Sequence, residues 1–92
     1  VYTLRHKLKS MSYYVYMLKS KEKKSVTYVG YTKNIKERLI LHNSGKGAKF
    51  TRGRTWKLIY KEIFKSKNKA ISREYYIKKN RTLRNKIKNN SI

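Results

Sequence analysis

The chain has 92 residues, among them 26 Lys or Arg, only four acidic residues, all glutamate, and no cysteine. A chain of this length forms one domain with a modest core, and without cysteine it forms no disulfide, zinc finger or thiolate site. Its formal net charge of +22 predicts a polyanionic partner, with nucleic acid as the first candidate and a membrane as the weaker one, because no run of about 18 apolar residues is present.

The first ten residues, Val1 to Ser10, are interpreted as an extension outside the fold, because Met11 follows them directly before a strand-like run. They are too charged to supply the apolar stretch of a secretory signal, so we expect a cytoplasmic protein. The remaining residues, 11–92, are expected to form a single domain.

Two aromatic and β-branched segments, Ser12–Leu18 and Ser25–Tyr31, predict a pair of antiparallel strands joined by a charged loop. If the turn is centred on Glu22, Tyr16 faces Tyr28 and the two rings touch or nearly touch on one face of the sheet. A shift of one residue would send the rings to opposite faces.

A helix is predicted after the second strand, since Asn34 can cap its first turn and Glu37 stands three residues later, as in a capping box. It should end near residue 43, where Gly45 can take the left-handed conformation of a helix end. Arg38 and His42 lie one turn apart on this helix, so we expect their Cβ atoms to be about 5–6 Å from each other.

Residues 45–55 hold three of the four glycines, which predicts an open loop. Alternation from Trp56 to Phe64 predicts a third strand, with Trp56, Leu58 and Phe64 in the core. The loop also carries four cations that could contact phosphates without reading base sequence: Lys46, Lys49, Arg52 and Arg54.

Two further helices are predicted after the third strand. The first begins at a cap at residue 66 or 68 and runs through residue 79. Glu74 lies in its apolar stripe between Ala70 and Ile77, a position that argues against solvent exposure. The last helix is expected over Thr82–Asn89.

The order of these segments resembles the GIY-YIG nuclease domain, most closely its small stand-alone members. The residues that carry the resemblance are Tyr14-Val15-Tyr16, Tyr28-Val29-Gly30, Arg38, Glu74, and the tracts His42–Ala48 and Thr51–Arg54. The resemblance extends from Tyr13 to about Lys79. Tyr14 stands where the first motif name has glycine, and Tyr31 stands where some relatives have lysine. The resemblance implies an α+β fold in which a three-stranded antiparallel sheet is packed with helices.

The same resemblance implies metal-dependent hydrolysis of a DNA phosphodiester, and the residue types suit that reaction. Glu74 would bind one Mg²⁺ (or Mn²⁺), an ion that often takes one carboxylate together with waters and the substrate phosphate. The planar fork of Arg38 would bind two phosphate oxygens and stabilise the charge of the transition state. Tyr16 would orient the attacking water or the phosphate.

Two residues compete for the role of general base. The resemblance favours Tyr28, but the pKa of a free tyrosine, ~10, would have to fall about three units, which requires ~4 kcal/mol. His42 has an ordinary pKa of ~6.5 and is either the base itself or a partner that polarises the phenol. The sequence leaves both assignments open.

No base-reading set of side chains is visible, so selectivity for DNA structure more than sequence is expected, as in repair or recombination. With no second domain for targeting, a protein partner could direct the activity. The alternative function is a basic module that binds DNA or RNA on the same scaffold without turnover.

Overall fold

The computed structural model describes residues 12–91, and the predicted extension, Val1 to Ser10, lies outside the described residues. In this part of the chain, three strands form an antiparallel sheet of order β2-β1-β3: β1 (Tyr13–Ser20), β2 (Thr27–Thr32) and β3 (Trp56–Phe64). Three α-helices pack on it: α1 (Ile35–Asn43), α2 (Lys67–Lys79) and α3 (Arg81–Asn90). The predicted α+β fold is confirmed.

The central strand β1 is buried on both faces. Its odd-numbered residues Val15 and Met17 pack against α2, where Ala70 and Ile77 are buried. Its even-numbered residues, among them Tyr16, pack on the other face, against α1 and the start of β3. The sheet is therefore a middle layer between α1 on one side and α2 with α3 on the other.

The register between β1 and β2 differs from the prediction by two residues. Tyr16 pairs with Gly30 and not with Tyr28, so the predicted pairing was wrong. The turn is centred one residue later in the chain than assumed, on residue 23, because its closing bond joins the N–H of Ser20 to the carbonyl of Val26 at 2.9 Å. Each β1 residue therefore pairs with a β2 residue two positions further on. A shift of two residues keeps the face, and the rings of Tyr16 and Tyr28 still lie side by side with centroids 6.4 Å apart.

Strand β3 contains a bulge that breaks its predicted alternation. Its pairing with β1 shifts between Met17 and Leu18, which leaves Ile59 as the extra residue. A bulge bends the strand and increases its twist, so burial does not follow an even alternation through it. Trp56 is buried as predicted, but Leu58 is 36% exposed, and its assignment to the core was wrong.

Side-chain caps start α1 and α2 at the predicted positions. The Asn34 side chain accepts a hydrogen bond from the N–H of Glu37 at 3.0 Å, and Ser66 caps α2 in the same way. The N–H of Asn34 donates to the Thr32 hydroxyl, so threonine replaces the reciprocal glutamate of a capping box. Gly45 has a φ of +79°, the left-handed conformation expected after α1.

The last helix, α3, begins one residue earlier and ends one residue later than predicted. Leu83 and Ile87 pack against the cluster of buried residues on the α2 face of the sheet, as partly buried Phe64 does. None of the helices between residues 12 and 91 is long and apolar enough to cross a membrane.

Candidate active site

Three rings from three elements meet on the α1 face of the sheet. Tyr16 comes from β1, Tyr28 from β2, and His42 from the last turn of α1. The centroid of the His42 ring lies 6.0 Å from that of Tyr16 and 4.9 Å from that of Tyr28. Tyr16 and His42 are fully buried, whereas Tyr28 is half-buried, so Tyr28 is the member of this cluster that reaches solvent.

A chain of hydrogen bonds passes through the buried imidazole. Tyr16 Oη lies 2.9 Å from His42 Nε2, and His42 Nδ1 lies 2.8 Å from Thr51 Oγ1. The Thr51 hydroxyl donates its one proton to the carbonyl of Ala48 at 2.7 Å. His42 must therefore donate from Nδ1 to Thr51, and its Nε2 accepts the proton of the Tyr16 hydroxyl.

The surroundings hold these two groups in the protonation states that the hydrogen bonds require. Burial lowers the pKa of the His42 imidazole, and the positive charge of Arg38 lowers it further. Burial, followed by the neighbouring Tyr28, raises the pKa of Tyr16 to about 12. His42 is thus held neutral, and Tyr16 is held as a phenol that donates to it.

Arg38 and Glu74 act on the same phenol from helices on opposite faces of the sheet. After burial and Tyr28, the Arg38 guanidinium lowers the pKa of Tyr16 through its charge and a hydrogen bond, and the Glu74 carboxylate raises it. The Glu74 side chain is 17% exposed, which agrees with the predicted burial. It also lies 3.6 Å from Lys78 Nζ, so Glu74 forms a helical ion pair as well.

Two glycines allow the backbone to pass very close to the rings of Tyr16 and His42. A Cβ atom at Gly30 would lie 2.6 Å from Tyr16 Oη, and a Cβ atom at Gly47 would lie 2.4 Å from His42 Nδ1. Real Cβ atoms do not approach other atoms so closely, so any larger residue would displace a ring. At Gly30, a residue of β2, the backbone therefore passes directly beside the Tyr16 ring.

The loop after α1 is more tightly packed than predicted. A 3₁₀ turn, Lys49–Thr51, places Thr51 in a fully buried position beside His42, and the Thr51 carbonyl accepts a hydrogen bond from Trp56 Nε1 at 2.9 Å. The prediction of an open loop was therefore wrong at this turn. Thr51 was missed because a threonine among glycines and cations carries no periodic signal; its only marker was its place in the tract Thr51–Arg54.

The four loop cations have different surroundings. Lys46, Lys49 and Arg52 are exposed, as phosphate contacts would require. Arg54 instead places its Nε 3.0 Å from Glu22 Oε1, which ties the loop to the β1–β2 hairpin.

The residues available for a metal are few. Between residues 12 and 91, no three His, Cys, Asp or Glu side chains lie together as a metal site. Glu74 is the carboxylate whose charge acts on Tyr16. A single carboxylate fits Mg²⁺, which keeps several waters and takes substrate phosphate as a ligand. Glu74 is thus the residue that would hold the ion.

Comparison with known proteins identifies the family. Residues 12–88 match the model of the GIY-YIG catalytic domain. The chain belongs to the GIY-YIG family. It is 54% identical over 67 residues to a UPF0213 protein of Clostridium perfringens, covering 72% of this chain and 70% of the relative. A UPF0213 protein of Staphylococcus haemolyticus is 48% identical over 67 residues, which cover 72% of this chain and 79% of that protein.

A solved structure supports the same assignment of this GIY-YIG chain. The solution NMR structure of a UPF0213 protein from Bacillus halodurans has a TM-score of 0.51 and 39% identity, covering 84% of this chain and 82% of that one. The predicted resemblance to small stand-alone GIY-YIG proteins is confirmed. GIY-YIG domains are nuclease domains that typically use a divalent metal ion, and DNA is the substrate that this membership implies.

Proposed function

We propose that this GIY-YIG domain is a divalent-metal-dependent endonuclease that hydrolyses DNA phosphodiester bonds and selects DNA structure more than base sequence. The observation that carries the proposal is the convergence on one buried phenol, that of Tyr16. His42 accepts its proton, and the charges of Arg38 and Glu74 act on its pKa from two different helices. A cation, an acid and a directed hydroxyl beside an exposed basic loop suit phosphoryl chemistry.

Arg38 is proposed to bind the scissile phosphate. Its guanidinium has five N–H donors in a fixed fork that suits two phosphate oxygens, and its charge acts on the neighbouring Tyr16 phenol. Lysine offers neither the fork nor the second contact, so Arg38→Lys is not a conservative change at this position.

Tyr28, rather than His42, is proposed to take the proton of the attacking water. His42 is fully buried and both of its nitrogens are engaged, with Tyr16 and with Thr51, so water has no access to it. Tyr28 is half-buried and its ring packs against the imidazole. His42 is then a positioning residue that holds the Tyr16 hydroxyl. A divalent ion on Glu74 would act as a Lewis acid and lower the pKa of a bound water.

Selectivity for DNA structure is supported by the character of the loop beside the site. Lys46, Lys49 and Arg52 are exposed cations. Contacts from such side chains to phosphates do not depend on the base sequence of the DNA. An enzyme of this kind would serve DNA repair or recombination, with a targeting partner supplying its location.

A nicking assay tests the proposal. Wild-type protein should nick DNA with Mg²⁺ or Mn²⁺ and not with EDTA, over a panel of linear and branched substrates. Glu74→Gln removes the carboxylate at constant size, and Tyr28→Phe removes only the hydroxyl. Each change should reduce nicking by about 100-fold or more, while DNA binding in EDTA stays within about 2-fold.

Glu37→Gln is the matched control, because Glu37 is an exposed glutamate in the first turn of α1, and this variant should nick at the wild-type rate. Full cleavage by Glu74→Gln or Tyr28→Phe would refute the assigned roles. Tight DNA binding by the wild type without any metal-dependent nicking would instead favour the basic binding module.

A further inference from the structure

Phe50 is an exposed aromatic residue beside the proposed active site. It lies on the 3₁₀ turn, Lys49–Thr51, and is 51% exposed. Its ring is nearly parallel to that of Tyr28, with an interplanar angle of 20° and centroids 6.4 Å apart. The Trp56 centroid lies 6.3 Å away. Phe50 is thus partly packed by aromatic rings and partly open to solvent next to the proposed general base.

The backbone under Phe50 is held firmly in place. The next residue, Thr51, is fully buried, with its carbonyl bonded to Trp56 and its hydroxyl bonded to His42. Arg54 Nη1 donates to the Phe50 carbonyl at 3.3 Å, and the guanidinium carbon lies 5.4 Å from the centroid of the Phe50 ring. The ring is therefore presented to solvent by a fixed turn, in the manner of a preorganised contact.

The charges around Phe50 suit an anionic ligand with an aromatic part. From Arg38 to Lys61 the sequence contains no acidic residue, and the exposed cations Lys49 and Arg52 stand one residue before and two residues after Phe50. The acid that reaches this loop from the hairpin, Glu22, is paired with Arg54. A nucleotide meets both conditions, because its base can stack on the ring while its phosphates contact the cations.

We propose that Phe50 is a stacking platform for an unpaired base next to the scissile phosphate. Bases in an intact duplex have both faces covered by neighbours, so only an unpaired or displaced base offers a free face to the ring. The substrate class is then DNA with single-stranded or splayed bases at the cleavage point, such as a flap or a branch. This inference rests on the proposed function, since Tyr28 marks where the phosphate would lie.

Binding measured in EDTA tests the platform without any cleavage. A splayed oligonucleotide carries the fluorescent base 2-aminopurine at its unpaired position, and a continuous duplex of the same sequence serves for comparison. Wild-type protein should quench the 2-aminopurine fluorescence and bind the splayed DNA more tightly. Phe50→Ala should abolish the quenching and weaken splayed-DNA binding about 10-fold, with little change on duplex. Phe50→Trp should retain both effects.

Two controls separate stacking from general damage. Ile40 is an apolar residue of α1 that is 61% exposed, and Ile40→Ala should leave both affinities unchanged. Phe50→Leu keeps an apolar side chain but has no aromatic face, so it should behave as Phe50→Ala does even where the alanine variant is unstable. An abasic residue at the unpaired position should erase the difference between wild type and Phe50→Leu.

Equal losses on splayed and duplex DNA, or unchanged binding by both variants, would overturn the platform. The two proposals fail separately. Phe50-dependent binding without metal-dependent nicking refutes the proposed function alone, whereas nicking without a Phe50-dependent preference refutes the platform alone.

Discussion

At the scale of single residues, His42 combines full burial with two directed hydrogen bonds, one to Tyr16 and one to Thr51. Because Nε2 already accepts the Tyr16 proton, protonation of His42 would place two donors face to face in a dry interior. Burial first and the charge of Arg38 second lower the pKa of His42 for the same reason. Protonation of His42 is therefore less favourable in the folded domain than in the unfolded chain.

We expect stability to depend on pH through His42. In the unfolded chain its pKa is about 6.5, and in the folded domain it is lower, so between these two values the unfolded chain binds more protons. The contribution to stability is fully present above about pH 6.5 and is lost as the pH falls towards the folded pKa. Urea unfolding at a series of pH values should show this slope, and His42→Gln should flatten it.

The other histidine of the chain, His6, provides the control for this pH dependence. His6→Gln should keep the wild-type slope, since His6 lies in the predicted extension. If His42→Gln unfolds with the same pH dependence as wild type, the assigned neutral state of His42 is wrong.

Thr51→Val should lower the free energy of unfolding although it preserves the volume of the side chain. The change removes the acceptor of the buried N–H on His42 Nδ1, and an unsatisfied buried donor costs about 1–3 kcal/mol of unfolding free energy. It also removes the group that selects the tautomer, so the Tyr16 hydroxyl loses its fixed direction and nicking should fall. Thr51→Ser keeps the hydroxyl, so this variant should nick with the same dependence on pH as the wild type. Wild-type stability and nicking in Thr51→Val would show that the hydrogen bond has no such role.

At the scale of elements, local signals predicted where most strands and helices begin, and long-range contacts decided how they meet. The caps at Asn34 and Ser66 act within three residues, so they could be identified from the sequence. The β1–β2 register could not, because its loop contains no Asn-Gly or similar dipeptide that fixes a tight turn. The loop is closed instead by Ser20, whose hydroxyl accepts from the N–H of Val26 at 2.9 Å.

The same division applies to the candidate site. Strand parity placed Tyr16 and Tyr28 on one face, and helical spacing placed Arg38 near His42. The sequence could not show that His42 bonds to Tyr16 rather than to Tyr28, since that choice depends on the two-residue difference in register. The burial of Thr51 depends on contacts with an imidazole and an indole from other elements, and no local pattern encodes it.

The loop between α1 and β3 can be tested as an element through Gly47. A Cβ atom there would lie 2.4 Å from His42 Nδ1, so Gly47→Ala should push the imidazole away from Thr51, lower stability by about 1–3 kcal/mol and reduce nicking sharply. Gly53→Ala is the comparison, because Gly53 has a φ of +79° but nothing within 4 Å of an added Cβ atom. It should cost stability through backbone strain and leave nicking of the folded protein unchanged. Equal nicking by both variants would contradict the close packing on His42.

At the scale of the whole molecule, three of the four glutamates take part in ion pairs. Ion pairs within residues 12–91 join Glu22 to Arg54, Glu62 to Arg73 and Glu74 to Lys78. The bidentate hydrogen bonds from Arg73 lower the pKa of Glu62, so this pair stays ionised across the neutral range. The remaining positive charge is the part of the molecule that a nucleic acid would neutralise.

DNA affinity should therefore fall steeply with salt, because each neutralised phosphate releases a counterion and adds about −0.9 to the slope of log K against log salt for duplex DNA. Lys49→Ala should reduce the magnitude of that slope by about 1. Lys86→Ala should not change it, since Lys86 is exposed on α3, across the sheet from α1 and the rings of the candidate site. A shallow slope for wild type would contradict phosphate-dominated binding. Equal effects of the two variants would mean that DNA does not bind preferentially to the face of the sheet on which Tyr28 is partly exposed.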